Sequence, residues 1–384
     1  MSQDESYSER TEQPSDPEDA EQRRVAIVFG TRPEIIKLAG IARLLGPDVC
    51  LIHSGQHDSH EMARSFLDEL QLGRPDVQLT VGGRSRGRQI GDTIRGLDEY
   101  FEACAPAVVV VQGDTNTTLA GALAANARQI PVVHVEAGLR SRDRAMPEEH
   151  NRVLTDHLAD VCCAPTEVCS ANLRNEGIEP ERVVVTGNTV VDAVIECLPS
   201  EAERCTVLAE RGLQPRSYVL ATFHRPENVD DPVALQTVLE QLAGLRLPVV
   251  LPLHPRTADR ARTFGLSEQL SQLTITEPLG YSEFLALAAE SAVLVSDSGG
   301  LVEEASVLKR PIAVARRSTE RPEVLGTFAD LVTAGPAIGE RVNGWLEDLD
   351  GIHERLRRIP SPYGDGQASA RCVAEVRRAA VLAG

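Results

Sequence analysis

Three carboxylates stand where a parallel sheet would gather them. Val108-Val-Val-Val-Gln-Gly-Asp114 reads as a buried strand ending on Asp114. Pro131-Val-Val-His-Val-Glu136 reads as a second strand, ending on Glu136, and Pro147 opens a helix with Glu148 in its first turn. Ligands of open parallel sheets bind outside the carboxyl ends of the strands. Asp114, Glu136 and Glu148 are therefore expected to face one crevice. Like charges held together perturb one another's proton affinity, which suits acid–base work. Taken singly, each is a helix cap or a surface acid; three at topologically adjacent positions favour function.

A second constellation lies in the other half. Asp297-Ser298-Gly299-Gly300 joins an apolar run to a helix. Such a turn brings free backbone N–H groups to a helix N-terminus, a good seat for phosphate. Glu304 follows within that helix, where an acidic side chain can take ribose hydroxyls, and Arg321 and His224 would complete a diphosphate clamp. Arg32 and Lys37 lie near the start of another helix, which Thr31 would cap and Pro33 would open. The chain has neither G-x-G-x-x-G nor G-x-x-x-x-G-K-[ST], which counts against NAD and against ATP hydrolysis. Phosphate on one half and carboxylates on the other suggest a nucleotide-linked substrate, with chemistry on the attached group. His150 and His157 are two helical turns apart, unlike a chelating pair, and no metal is expected.

The elements that must position these residues repeat. Strands are read at residues 24–30, 49–54, 108–114, 131–136, 161–164 and 183–192, with helices between them and a Gly- and Arg-rich mobile loop over residues 73–88. His134 is read as a core histidine. The pattern restarts with strands at 217–222, 248–253, 273–276, 292–296 and 311–315. Two successive β/α halves predict an α/β protein of two doubly wound domains facing a central cleft. The boundaries expected are an acidic disordered tail over residues 1–22, a first domain over 23–190, a second over 191–365, and a helix over 366–384 that packs back on the first.

Composition narrows the classes. The 384 residues carry 42% hydrophobic residues, enough for two cored domains, and no run approaches the ~18 apolar residues of a membrane helix. The polar, acidic start is unlike a signal peptide. The eight cysteines, at 50, 104, 162, 163, 169, 197, 205 and 372, show no zinc spacing and read as reduced thiols of a cytoplasmic protein. The net charge of −18 argues against nucleic acid as a partner. Lys37 and Lys309 are the only lysines among 39 basic residues. Arginine for lysine with excess carboxylate suggests a high-salt cytoplasm or a GC-rich genome.

With these residues in view, the chain resembles the non-hydrolysing UDP-N-acetylglucosamine 2-epimerases. The matching stretches are Gly30-Thr-Arg-Pro-Glu-Ile-Ile-Lys37, Gly55-Gln-His57, Gly113-Asp-Thr115, His134-Val-Glu-Ala-Gly-Leu-Arg140, Pro147-Glu-Glu149 with Asn151-Arg152, Thr186-Gly-Asn-Thr189, His224-Arg225, Asp297-Ser-Gly-Gly300 with Glu303-Glu304, and Thr319-Glu-Arg-Pro-Glu323. They run in family order over most of the chain. The resemblance implies two Rossmann-like domains of the glycosyltransferase-B type, a homodimer, and a UDP-sugar as substrate. It implies that UDP leaves as carbon 2 loses its proton, that a 2-acetamidoglucal stays bound, and that UDP adds back with carbon 2 inverted. No nicotinamide, metal or other cofactor is required in that chemistry. Carried over by motif, Asp114, Glu136 and Glu148 are the acid–base candidates and His224 sits by the diphosphate. Arg32, Lys37, Ser298, Gly299, Gly300 and Arg321 hold the diphosphate, Glu304 the ribose, and Phe284 lies near uracil.

Two departures stand out. Pro226 follows His224-Arg225 where many bacterial members carry a basic or polar residue. His254-Pro-Arg-Thr257 replaces their His-x-Asn-Pro, which with Gln56 and His57 would form a second, activating substrate site, so Gln56, His57 and His254 are a candidate regulatory site with an altered partner. Other readings share these motifs: a 2-epimerase of a UDP-diacetamido-glucuronate, marked by an extra sugar-facing basic residue, a hydrolysing epimerase, a glycosyltransferase of the same fold, or a non-catalytic nucleotide-sugar sensor.

Overall fold

In the computed structural model of the chain, residues 25–56 and 60–382 are described. The acidic stretch 1–22 and His57 lie outside them. The first sheet contains β1 (Val25–Phe29), β2 (Val49–His53), β3 (Val77–Gln78), β4 (Val108–Gln112), β5 (Val132–Val135), β6 (Val161–Ala164) and β7 (Val183–Val185). Their order is β3-β2-β1-β4-β5-β6-β7, and every pair is parallel. The second contains β8 (Val219–Thr222), β9 (Val249–Pro252), β10 (Thr274–Thr276), β11 (Val293–Ser296), β12 (Ile312–Ala315) and β13 (Ala329–Val332), in the order β10-β9-β8-β11-β12-β13, again all parallel. Central strands such as Val-Val-Val-Val-Gln of β4 are buried along their whole length, as sheets covered on both faces require.

The order of each sheet reverses once, between β1 and β4 and between β8 and β11. Such switch points leave a crevice at the strand ends. The helices that bear on the site are α1 (Arg32–Leu45), α2 (Asn116–Ala127), α3 (Pro147–Leu158), α4 (Thr189–Cys197), α5 (Tyr281–Glu290), α6 (Gly299–Leu308) and α7 (Ala368–Leu382). One apolar core runs without a break from Ile35 and Leu38 of α1 through Val190 and Val194 of α4 to Leu285 of α5 and Leu301 of α6. The C-terminal α7 crosses back onto α1 and onto β4, β5 and β6.

Several boundaries differ from the sequence reading. The stretch 183–192 is not one strand. It stops at Val185, and Asn188 caps α4 by accepting from the Val190 N–H, so Thr189 to Asp192 are helical. The loop read over residues 73–88 contains β3, and the next helix already begins at Arg86. Thr115 caps α2 through its side chain, but Thr31 does not cap α1; its hydroxyl donates to Glu34 instead. None of the eight cysteines forms a disulfide.

Candidate active site

The first-domain side is built on strand ends. Glu136 follows β5 in a left-handed conformation, φ +69°, which costs a non-glycine residue and marks a constrained position. Gly138, at φ +84°, completes the turn; a Cβ there would lie 2.4 Å from the Cys169 carbonyl oxygen. This sharp turn aims the Glu136 carboxylate at α1 and at the second domain. Lys37 Nζ donates to Glu136 Oε2 and, at 2.8 Å, to Glu303 Oε2 of α6. Arg321 donates through Nη2 to Glu136 Oε1 at 3.1 Å and through Nε to Glu303 Oε1 at 2.7 Å. Gln112 and Asn188 supply one further bond to each carboxylate. Two carboxylates and two cations thus form a buried ring across the domain boundary.

The ring sets unusual proton affinities. Burial raises the Glu136 carboxyl, Lys37 and Arg321 pull it down, and Glu303 pushes it up; the outcome is above the ordinary glutamate value. Burial lowers the Lys37 ammonium, but Glu136 and Glu303 outweigh burial and raise it. The like charge facing Glu136 is therefore Glu303, from the other domain, rather than Asp114 or Glu148.

Asp114 is held separately. Arg152 of α3 donates to it from Nε at 3.0 Å and from Nη2, and donates from Nη1 to Glu149 at 2.6 Å. His134 is a core histidine, as read: Nδ1 meets Asp156 at 2.7 Å, and Nε2 donates to the Gly113 carbonyl at 2.8 Å, fixing the turn that carries Asp114. Glu148 is exposed on the outer face of α3. Its neighbour Glu149 is the buried acid, accepting from the Ser141 and Arg142 N–H groups as well as Arg152. One helical step of 100° separates the two. The single crevice of three mutually close carboxylates is thus replaced by Glu136 in an interdomain ring, Asp114 on Arg152, and Glu148 in solvent.

On the second-domain side, Asp297 directly follows β11 and is fully buried. It accepts from the Arg225 N–H at 2.9 Å, the His224 N–H at 3.1 Å and Asn228 Nδ2 at 3.0 Å. The turn carrying His224 is therefore tied to the glycine turn. Gly299 starts α6 under tight contact: a Cβ there would lie 2.6 Å from Arg321 Nη1 and 2.7 Å from Glu320 Oε1. Glu304 accepts from the Tyr281 hydroxyl at 3.0 Å. Its pKa is raised by burial, against the pull of Tyr281 and Arg32. The Arg32 guanidinium lies 4.1 Å above the Phe66 ring.

Between the two switch points is a cavity of about 330 Å³. Arg32 and Lys37 line it from the first domain; His224, Phe284, Ser298, Gly300 and Glu304 line it from the second. Gly299, Asp114, Glu136, Glu148 and Arg321 are not among its lining residues. Arg321, read as part of a diphosphate clamp, is instead taken up by Glu136, Glu303 and Glu320. His254 lines the cavity with its ring centroid 5.4 Å from that of His224. Gln56 is turned to α2, accepting from Thr117 N and Oγ1 at 3.0 and 2.9 Å, and is not among the lining residues. Glu303, Arg152 and Tyr281 carry much of this geometry without having been given roles. The first two lie in motifs that were visible, whereas Tyr281 gave no signal.

Two parallel-sheet domains with their switch points turned toward one cavity define a glycosyltransferase-B-type, Rossmann-like fold. The chain belongs to the UDP-N-acetylglucosamine 2-epimerase family, whose model matches residues 45–377. It is 39% identical over 362 residues to the UDP-N-acetylglucosamine 2-epimerase of Methanocaldococcus jannaschii, covering 91% of this chain and 98% of that one. It is 38% identical over 355 residues to the Methanococcus maripaludis enzyme of the same name, covering 90% and 96%. The solved M. jannaschii structure in complex with UDP-GlcNAc and UDP superposes with a TM-score of 0.82 over 92% of this chain and 99% of that chain. The Neisseria meningitidis UDP-GlcNAc 2-epimerase bound to UDP-GlcNAc, 34% identical, also gives 0.82 over 92% and 99%.

Proposed function

We propose that this chain interconverts UDP-N-acetylglucosamine and UDP-N-acetylmannosamine by eliminating UDP to a bound 2-acetamidoglucal and adding it back with carbon 2 inverted. The observation that carries the reading is Lys37, which lines the cavity and at the same time binds Glu136 and Glu303. One cation thereby links the seat of a leaving diphosphate to a carboxylate with raised proton affinity. As the glycosidic bond breaks, charge accumulates on the diphosphate. Arg32, Lys37, His224 and the N–H groups at the start of α6 are the donors available to it. The sugar becomes oxocarbenium-like, carbon 2 acidifies, and a carboxylate takes its proton. Glu136, bound to the cavity-lining Lys37, and Asp114 are the candidates, and Glu148 needs α3 to move or its side chain to turn. Glu304 with Tyr281 suits ribose, and Phe284 suits uracil. Arg321 acts by holding Glu136 and Glu303 until substrate competes for it.

In this reading residues 23–190 carry the acid–base groups, 191–365 carry the nucleotide, and 366–384 return to the first domain. The protein works in the cytoplasm as a homodimer. No helix among the described residues is long and apolar enough to cross a membrane. Proton NMR with UDP-N-acetylglucosamine in deuterium oxide and high salt tests the proposal. UDP-N-acetylmannosamine deuterated at carbon 2, without added NAD, is expected; free N-acetylmannosamine would identify a hydrolysing enzyme instead.

A second reading has one observation in its favour. His254 adds a basic side chain to the cavity beside His224, and a UDP-2,3-diacetamido-2,3-dideoxy-D-glucuronate 2-epimerase of Pseudomonas aeruginosa is 34% identical over 360 residues. Deuterium incorporation from that sugar alone would select it.

A further inference from the structure

Glu34 is a buried acid that the reaction above does not use, yet it sits between the two turns that do. Its Oε2 accepts from the Gly30 N–H at 3.0 Å and from the Thr31 hydroxyl at 2.7 Å, both in the turn between β1 and α1. Its Oε1 faces the hydroxyls of Thr115 at 2.9 Å and Thr118 at 3.2 Å, at the start of α2 just beyond Asp114. One carboxyl group therefore spans the first-domain switch point. It joins the turn of Arg32 and Lys37 to the turn of Asp114.

The hydrogens around Oε1 can be counted. A threonine hydroxyl has one proton to give. Thr118 Oγ1 lies 2.7 Å from the Gln112 carbonyl, which only accepts, so its proton is spent there. The Thr118–Glu34 contact is then a hydrogen bond only if Glu34 donates. Among the described residues no ion pair reaches Glu34. The charged groups on the elements around it are engaged elsewhere: Arg32 over Phe66, Lys37 with Glu136 and Glu303, and Asp114 with Arg152. Burial without a counter-ion favours the neutral acid.

We propose that Glu34 is a positioning residue that acts as a carboxylic acid, accepting from the β1–α1 turn through one oxygen and donating to Thr118 through the other, and so fixes Asp114 relative to Lys37. This rests on the roles given to Asp114 and Lys37. Burial raises its pKa to about 7 against the hydrogen bonds it accepts from Thr31, Gly30 and Thr115, so the acid is the form lost as pH rises through neutrality. Glutamine keeps most of the acid's bonds: its carbonyl accepts from Gly30 and Thr31 and its amide donates to Thr118, while Thr115, which donates to Glu34 Oε1, can turn its proton to Thr118 Oγ1 3.0 Å away.

The test is kcat and KM across pH 5.5–9 for wild type, Glu34→Gln and Glu34→Ala, with UDP binding and thermal melts on the same samples. Wild-type kcat is expected to decline on the alkaline side through a step near pH 7. Glu34→Gln should retain most of the acid-side kcat and lack that step. Glu34→Ala should lose roughly 10-fold or more in kcat at every pH with little change in KM. The melts give an independent reading. The folded acid binds its proton more tightly than the unfolded one, so wild-type stability falls as pH rises from about 4.5 to about 7. The melting temperature of Glu34→Gln should accordingly gain on wild type over that window. Should the alanine variant fail to fold, Thr118→Val removes the proton acceptor and should move the wild-type step to lower pH. The proposal is overturned if Glu34→Gln is as impaired as Glu34→Ala, if it keeps the step, or if Glu34→Ala changes only stability. An inactive wild type that still gives the pH-dependent melts would fault the reaction assigned above and leave the Glu34 proton intact.

Discussion

The two switch points share one topology and offer opposite chemistry. At β1 and β4 the chain presents charged side chains: Arg32, Lys37 and Asp114, with Glu136 one strand further on. At β8 and β11 it presents backbone N–H groups at a helix start and an aspartate spent on holding that turn, with Phe284 of α5 lining the same cavity. In the proposed reaction the first moves protons and the second holds the nucleotide. Doubly wound sheets thus fix where a ligand sits, and the side chains at the strand ends decide what happens to it.

That division can be attacked from either side. Asp114→Asn should cut kcat by about 10²–10⁴-fold and leave UDP affinity close to wild type, checked by single-turnover rates and calorimetry. A parallel loss of UDP affinity would merge the two roles. Glu303→Ala attacks the joint between them. It leaves Lys37 and Arg321 one carboxylate short, at a cost of about 3–5 kcal/mol in denaturant titrations, with both substrate affinity and rate reduced. Glu304→Ala belongs to the holding side alone: UDP should bind roughly 10-fold more weakly with kcat little changed.

The smallest effect contrasts the domains by pH. Burial lowers His353, in the second domain, to about 4. Its Nε2 donates to the Ala292 carbonyl at 2.8 Å. Because its folded pKa is depressed, its stability is present above about 6.5 and lost as pH falls toward about 4. Glu34 in the first domain has the opposite sign. His353→Phe should therefore melt less acid-sensitively than wild type by a few degrees between pH 7.5 and 5, whereas Glu34→Gln gains on wild type in the reverse direction.

Much of this was legible in the chain. Continuous valine runs ending in Gly-Asp or Val-Glu marked parallel strands with carboxylates at their ends, and the Asp297–Gly300 turn followed from its place before a helix. What escaped was the facing of adjacent residues. Glu148 and Glu149 are neighbours in sequence, and so are Glu303 and Glu304, yet in each pair the two side chains take different partners or surroundings. A 100° step aims the two side chains at different surroundings, and only the packing of the helix says which. Thr31 has the residue type of a cap, but its side chain accepts from no N–H of the helix and only donates, to Glu34. Arg321 has the residue type of a phosphate clamp, but three carboxylates surround it. Glu136 meets Arg321 from 185 residues away, a distance that leaves no local spacing to read.

The near-absence of lysine gives the ring a reporter. An amine-directed acylating reagent finds only the α-amino group, Lys309 and Lys37. Burial lowers the Lys309 ammonium, which favours its early labelling, while the two carboxylates on Lys37 keep that amine protonated and unreactive. Glu136 shares the first domain with Lys37 and Glu303 comes from the second, so parting of the two domains would strip Lys37 of one carboxylate and should speed its acylation. The slow phase of labelling, followed by intact mass, is then a clock for cleft opening, and its slowing by UDP measures how firmly the nucleotide keeps the cleft shut.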